Sequence, residues 1–376
     1  MSGRLKVMTV VGTRPEIIRL SRIIARLEAS TDHVLVHTGQ NYDYNLNQVF
    51  FDDLGMRAPD HYLGVDTSSL GAVLGGVLVT VEKAILAERP DALVVLGDTN
   101  SCIAALMAKR MKVPVYHLEA GNRSFDPNVP EEINRHLVDH VADYNLVYTE
   151  NSRKNLLAEG LHPSKVILMG SPMREVLDFY RPQIDASDVL TRLGLTAGEY
   201  LLASVHREEN VDRPDRLADV LASLTAVAKD QGMPLLVSTH PRTRKRIEQF
   251  GLGAGADVVL HPALGFHDYN KLQLSSRCVV SDSGTISEES SMLGFAAVTI
   301  RDAIERPEAI DTGAIMCTGL NAEDVVDAVR LTIEQHRTDG PATPPADYCV
   351  KDSSRRVVNF IRSTASTHHA RTGIRL

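Results

Sequence analysis

Short apolar runs rich in Val, Ile and Leu recur along most of the 376-residue chain, separated by stretches whose apolar positions fall three and four residues apart. In the first half, the runs at 7–11, 34–37, 93–96, 113–118, 146–148 and 166–169 predict strands. Ile17, Ile18, Leu20, Ile23, Ile24 and Leu27 predict a helix after the first of them, because apolar residues at this spacing share one face. The second half repeats the scheme with runs at 201–205, 235–238, 258–260, 278–281 and 297–300. Strands that are apolar throughout, each followed by a helix, belong to parallel sheets covered on both faces. The pattern predicts an α/β protein of two doubly wound domains with an interdomain cleft. The rhythm pauses at Tyr180-Arg-Pro182-Gln-Ile-Asp185 and again across 338–348, where Gly340, Pro341, Pro344 and Pro345 cluster. These breaks give a first domain at 1–180, a second at 181–350, and a tail at 351–376 whose helical stretch is expected to return to the first domain.

Length agrees with two domains, at roughly 150 residues each. Composition is that of a globular protein, 43% apolar and 23% charged. With 40 basic against 48 acidic residues the net charge is −8, which argues against nucleic acid or an anionic membrane as partner. It leaves room for a small anionic ligand held by a few arginines. No run is read as approaching the ~18–20 apolar residues that span a bilayer, and no secretory leader is read at the start of the chain, so the expected address is the cytoplasm. The four cysteines, Cys102, Cys278, Cys317 and Cys349, form no CxxC and predict neither a disulfide framework nor a zinc site.

In open α/β sheets ligands bind outside the carboxyl ends of the strands, and those ends are rich in polar groups here. The first strand leads into Gly12-Thr13-Arg14-Pro15-Glu16, where a helix N-terminus offers an anion site and Arg14 and Arg19 add positive charge. It is not a P-loop, because GxxxxGK[ST] is absent. Gly97-Asp98-Thr99 ends one strand and His117-Leu118-Glu119 the next, while Glu131 and Arg135 share a face of a following helix. An ion pair explains the latter two locally; three acids at one sheet edge favour acid–base chemistry. In the second half, strands end at His206-Arg207-Glu208 and His240-Pro241-Arg242. A third end, Asp282-Ser283-Gly284-Thr285, enters a helix carrying Glu288 and Glu289. Its amides and hydroxyls suit phosphate and its carboxylates suit ribose hydroxyls, although a helix cap with acidic residues in its first turn reads the same way.

Taken in order, Gly12-Thr-Arg-Pro-Glu16, Gly97-Asp-Thr99, Glu119-Ala-Gly121, Pro130-Glu-Glu-Ile-Asn-Arg135, Asp282-Ser-Gly284 with Glu288-Glu289, and Glu305-Arg-Pro-Glu308 closely resemble the non-hydrolysing UDP-N-acetylglucosamine 2-epimerases. The resemblance runs from about Val7 to Ile361. It implies two Rossmann-like domains of the GT-B fold, a homodimer, a UDP-sugar substrate, and no nicotinamide cofactor or metal. It implies that Asp98, Glu119 and Glu131 are the essential carboxylates and His206 the catalytic histidine near the diphosphate. Arg14, Arg19, Gln40, Arg135, His240, Ser283, Gly284, Thr285 and Glu289 match substrate-binding positions.

The reaction so implied is elimination of UDP from C1 with loss of the C2 proton, then re-addition after protonation on the opposite face. Such a sequence needs acid–base groups on both faces of the sugar and cationic or dipolar stabilisation of the leaving diphosphate. The Asn41-Tyr-Asp-Tyr44 and Asn122-Arg-Ser-Phe-Asp126 stretches depart from the commonest pattern, as do Thr285 and Ser287. The first two resemble the branch acting on 6-deoxy sugars, towards UDP-N-acetyl-L-fucosamine. That substrate is the alternative, ahead of a hydrolysing 2-epimerase or a GT-B glycosyltransferase.

Overall fold

Residues Lys6–Val11 form β1, buried along nearly its whole length, and everything in the first sheet is arranged around it. The computed structural model describes residues 4–39, 44–302 and 304–375. The chain divides into two compact units, Met1–Phe179 with Ala346–Leu376, and Tyr180–Pro345.

In the first unit β1 is followed by α1 (Arg14–Ser30), β2 (Asp32–His37), α2 (Tyr44–Asp53), β3 (His61–Tyr62) and α3 (Leu70–Glu88). Then come β4 (Ala92–Leu96), α4 (Ala104–Arg110), β5 (Val115–Leu118), α5 (Pro130–Val141), β6 (Tyr144–Val147), α6 (Glu150–Ala158), β7 (Val166–Leu168) and α7 (Met173–Ala186). The strands lie in the order β3-β2-β1-β4-β5-β6-β7, all parallel. Chain order reverses between β1 and β4, which makes their carboxyl ends the switch point where such sheets bind ligands. The stretch 180–185, read as a pause, lies inside α7, and Pro182 is accommodated within that helix.

Ser353–Thr364 is a helix of the same unit. Glu175 accepts from Ser354 N at 2.8 Å, and Arg26 donates to Ser354 Oγ at 3.0 Å. Phe360 meets the Tyr144 ring edge-on, with centroids 5.2 Å apart.

The helix α3 corrects one expectation. Its 19 residues, with only Glu82, Lys83 and Glu88 charged, are long and apolar enough by length and composition to cross a membrane. Val73, Val77, Val81, Ala84 and Ile85 pack in the core of the unit, while Leu70, Val79 and Leu86 are exposed. Three glycines and three alanines among the large apolar residues hid this run from a reading based on periodicity.

The second unit contains β8 (Leu201–Ser204), β9 (Leu235–Thr239), β10 (Val258–Pro262), β11 (Val279–Ser281), β12 (Ala297–Thr299) and β13 (Met316–Cys317). Their order is β10-β9-β8-β11-β12-β13, again parallel, with a switch point between β8 and β11. Both sheets are therefore doubly wound. The edge strands β3 and β13, absent from the sequence reading, are two residues long, too short for any periodic signal.

Candidate active site

At the first switch point the buried Glu16 joins two loops. Its Oε2 accepts from the Gly12 and Thr13 amides, each at 2.7 Å, and its Oε1 from the Thr99 hydroxyl at 2.8 Å and from Ser101 Oγ. Burial pushes this carboxyl up, against the pull of those four donors. The Gly12 and Thr13 amides, expected to face an external anion, are thus engaged by the chain's own carboxylate, since Glu16 stands one turn inside the helix it caps. Arg14, half-buried, lies over the Phe50 ring at 5.3 Å.

The ends of β4 and β5 carry the acids. Asp98 pairs with Arg135, whose Nε and Nη2 both reach Oδ2 at 2.7 Å. Asn134 Nδ2 donates to the Asp98 carbonyl at 2.8 Å. Glu119 is 8% exposed and sits in the left-handed region with φ 62°, a conformation that costs a non-glycine residue about 1–3 kcal/mol. Arg19, 1% exposed, holds it through an ion pair of 2.5 Å. A Cβ at Gly97 would lie 3.9 Å from Glu119 Oε1, so the Glu119 carboxyl approaches the residue that precedes Asp98. Glu131 begins α5 at intermediate exposure.

Behind these acids lies a charged network buried in the unit. Asp139 is fully buried and contacts His117 Nδ1 at 2.9 Å, Arg123 Nη1 at 2.8 Å and the Gly121 amide at 3.2 Å. His117 Nε2 lies 2.8 Å from the Gly97 carbonyl. Both imidazole nitrogens therefore face acceptors, which holds a proton on each. Burial disfavours the charge on both side chains, yet His117 is raised by Asp139, and Asp139 is held below the usual carboxylate range by His117 and Arg123. Glu132 pairs with Arg135 Nη1 at 2.7 Å and accepts from the Ser124 amide at 3.1 Å; these contacts outweigh burial and lower its carboxyl. Thus α5 turns Glu132, Arg135 and Asp139 inwards at helical spacing.

In the second unit Asp282 plays the part Glu16 plays in the first. Fully buried after β11, it accepts from the His206 amide at 3.0 Å, the Arg207 amide at 3.0 Å and Asn210 Nδ2 at 3.1 Å. It thereby fixes the loop after β8 that carries His206. The His206 and His240 rings lie 6.2 Å apart. His240 Nδ1 accepts from the Arg242 amide at 3.2 Å, capping the helix Pro241–Phe250 and placing the ring proton on Nε2. Ser283 and Thr285 share a hydroxyl contact of 2.9 Å, and Gln273 donates to Glu289 at 2.7 Å. Gly284 is wedged in place. A Cβ there would stand 2.4 Å from Glu305 Oε1 and 2.9 Å from Arg207 Nη2, while Arg306 Nη1 donates to its carbonyl. Arg301 holds Glu305 at 2.7 Å.

The family model for UDP-N-acetylglucosamine 2-epimerase matches residues 25–362. The UDP-N-acetylglucosamine 2-epimerase of Methanocaldococcus jannaschii is 34% identical over 343 residues, 89% of this chain and 93% of that protein. The chain belongs to the UDP-N-acetylglucosamine 2-epimerase family. Among solved structures of the family, that of UDP-N-acetylglucosamine 2-epimerase from Rickettsia bellii is 43% identical, covering 97% of this chain and 98% of its own, with a TM-score of 0.88. The M. jannaschii UDP-GlcNAc 2-epimerase in complex with UDP-GlcNAc and UDP is 33% identical and covers 96% of this chain and 100% of its own, with a TM-score of 0.90. A Pseudomonas aeruginosa UDP-2,3-diacetamido-2,3-dideoxy-D-glucuronate 2-epimerase is 34% identical over 88% of this chain and 92% of its own. Each unit is a doubly wound α/β domain, and the fold class is the GT-B-like one of these epimerases.

Of the residues singled out in this epimerase sequence, Asp98, Glu119, Arg19 and Arg135 meet at the β4 and β5 ends of the first unit. His206, His240, Ser283, Gly284, Thr285 and Glu289 follow the strand ends of the second or begin the helix after β11. Gln40 and Asn41-Tyr-Asp43 lie outside the described residues. Glu132, Asp139 and Arg123 went unread as site residues. The signal for the first two was present, since charged residues at positions 132, 135 and 139 share one helix face with the buried Val138.

Proposed function

We propose that the chain is a non-hydrolysing 2-epimerase that interconverts UDP-GlcNAc and UDP-ManNAc. The observation carrying this reading is that Asp98 and Glu119, at adjoining strand ends of a member of this family, are each held by an arginine. Carboxylates so held have a fixed direction. The C2 proton of an N-acetylhexosamine is not acidified by a carbonyl, so direct deprotonation is too difficult. Breaking the C1–O bond as the proton leaves builds positive charge at C1 and acidifies C2. UDP departs, C1=C2 forms, and a 2-acetamidoglucal results. A proton is then delivered to C2 from the opposite face as UDP re-adds at C1.

In this reading one of Asp98, Glu119 and Glu131 takes the C2 proton and another supplies the opposing one. Arg135 orients Asp98, and Arg19 acts through Glu119. His206 hydrogen-bonds or protonates the leaving diphosphate, a task to which an imidazole is suited. Arg14, Gln40, His240, Ser283, Gly284 and Thr285 hold the UDP-sugar, and Glu289 accepts from ribose hydroxyls. Elimination and re-addition leave the oxidation level unchanged, so no hydride carrier is required. A homodimer fits the exposed Leu70, Val79 and Leu86 of α3, and a reducing cytoplasm fits the exposed thiols of Cys317 and Cys349.

A second reading, a UDP-N-acetylhexosamine altered elsewhere on the ring, is favoured by one comparison. The P. aeruginosa 2-epimerase is as similar to this chain, at 34%, as the M. jannaschii enzyme. Chromatography of UDP-GlcNAc incubated with purified protein tests the proposal. An equilibrium mixture of UDP-GlcNAc and UDP-ManNAc supports it; accumulation of free UDP and N-acetylmannosamine contradicts it. An unchanged UDP-GlcNAc alongside turnover of a 3-amino or 6-deoxy UDP-sugar establishes the second reading.

A further inference from the structure

The C-terminal ends of α5 and α6 bring together three ligand-type side chains that the proposed reaction does not use. His136 and His140 stand one turn apart on α5, and Glu159 caps α6. Glu159 Oε2 lies 3.3 Å from His140 Nε2 and 3.7 Å from His136 Nδ1, and one ligand atom from each of the three falls within 4.8 Å of the others. Ligands bound to a tetrahedral zinc at ~2.0–2.1 Å stand roughly 3.3 Å apart, so the two carboxylate–imidazole edges are close to the required length. The remaining edge closes by rotation of two side chains that are 48% and 44% exposed. We propose that His136, His140 and Glu159 form a site for a late first-row divalent cation of the Zn²⁺ type, with water in the fourth position.

Three further features support the site. Arg123 fixes Glu159 through a two-point contact, Nε to Oε1 at 2.7 Å and Nη2 to Oε2 at 2.8 Å. The other nitrogen of His136, Nε2, stands 3.9 Å from Glu132 Oε1, beyond hydrogen-bond length, and a small ring rotation brings it to the outer carboxylate that orients a ligating imidazole in such sites. Finally, two helix C-termini converge here, and their partial negative charge favours a cation. The connected groups also carry excess negative charge. The carboxylates Asp98, Glu132, Asp139 and Glu159 oppose Arg123, Arg135 and the doubly donating His117. A bound dication offsets that excess and ties the end of α5 to the end of α6.

The full-length protein is titrated with Zn²⁺ alone, followed by calorimetry and thermal melting, and with Co²⁺ alone, followed by visible absorption. The expected result is one high-affinity cation per chain, a raised melting temperature, and the intense d–d bands of four-coordinate Co²⁺. His136→Asn and His140→Gln should each weaken binding on the order of tenfold or more. Both side chains are half-exposed, so these variants should melt like the parent without metal. Glu159→Gln should weaken binding too, though it also disturbs Arg123, so the histidine variants carry the test. Binding that survives the His136/His140 double variant, or Co²⁺ spectra showing thiolate ligation by Cys317 or Cys349, overturns the site. So does the absence of saturable binding.

Discussion

Replacing Asp139 by Asn should unfasten the acid-bearing strand ends from below. The carboxylate is the ion-pair partner of His117 and, with Glu159, one of two for Arg123 among the described residues, and all three side chains are essentially dry. The amide leaves an imidazolium and a guanidinium buried together without that counter-charge. Removing one member of such a buried pair costs about 3–5 kcal/mol, a large part of the about 5–15 kcal/mol that holds an ordinary domain folded. With a urea slope of roughly 3 kcal/mol/M, the unfolding midpoint should fall by roughly 1–1.7 M. The pH dependence carries a second signature. Asp139 is lowered, so its contribution is present above the ordinary Asp value of 3.8 and is lost as pH falls through the lower folded value. His117 is raised, so its contribution is present below the ordinary His value of 6.5 and is lost as pH rises through the higher folded value. The stability difference between wild type and Asp139→Asn should therefore be greatest between those two values and shrink on either side. Circular dichroism of urea unfolding across pH measures both. A midpoint shift below about 0.3 M, or a difference independent of pH, would refute the network.

Asp98→Asn and Glu131→Gln should each remove most turnover while UDP still binds, as product assays and calorimetry with UDP would show. Arg19→Met leaves the Glu119 carboxylate buried without its guanidinium, and should cost about 3–5 kcal/mol in urea unfolding and abolish turnover. Gly284→Ala places a methyl 2.4 Å from Glu305 Oε1 and 2.9 Å from Arg207 Nη2. It should displace the turn and weaken UDP on the order of tenfold in calorimetry, with little change in the first unit.

Most of the architecture was legible because parallel sheets buried on both faces leave unbroken apolar runs, and eleven of the strands announced themselves that way. The pause at 180–185 falls where the two compact units divide, between Phe179 and Tyr180, yet it is not a break between elements, because Pro182 resembles a breaker and is carried inside α7. That Asp98, Glu119 and His206 follow strand ends was legible because each stands just after an apolar run. The buried partners were harder to see. Asp139 reads locally as one more charged position on an amphipathic helix, and its pairing with His117 and Arg123 joins residues 16–22 positions apart through tertiary packing. Glu16 was seen, but as part of a loop offered to an anion; that it occupies the loop amides itself depends on a side-chain conformation that spacing cannot reveal.

The central claim is that the C2 proton leaves and returns during turnover. Proton NMR of UDP-GlcNAc incubated with the protein in D₂O, without added nicotinamide, tests it most directly. The account predicts UDP-ManNAc bearing deuterium at C2, with the label entering the recovered UDP-GlcNAc as equilibrium is approached. Epimerised product that retains hydrogen at C2 would contradict it.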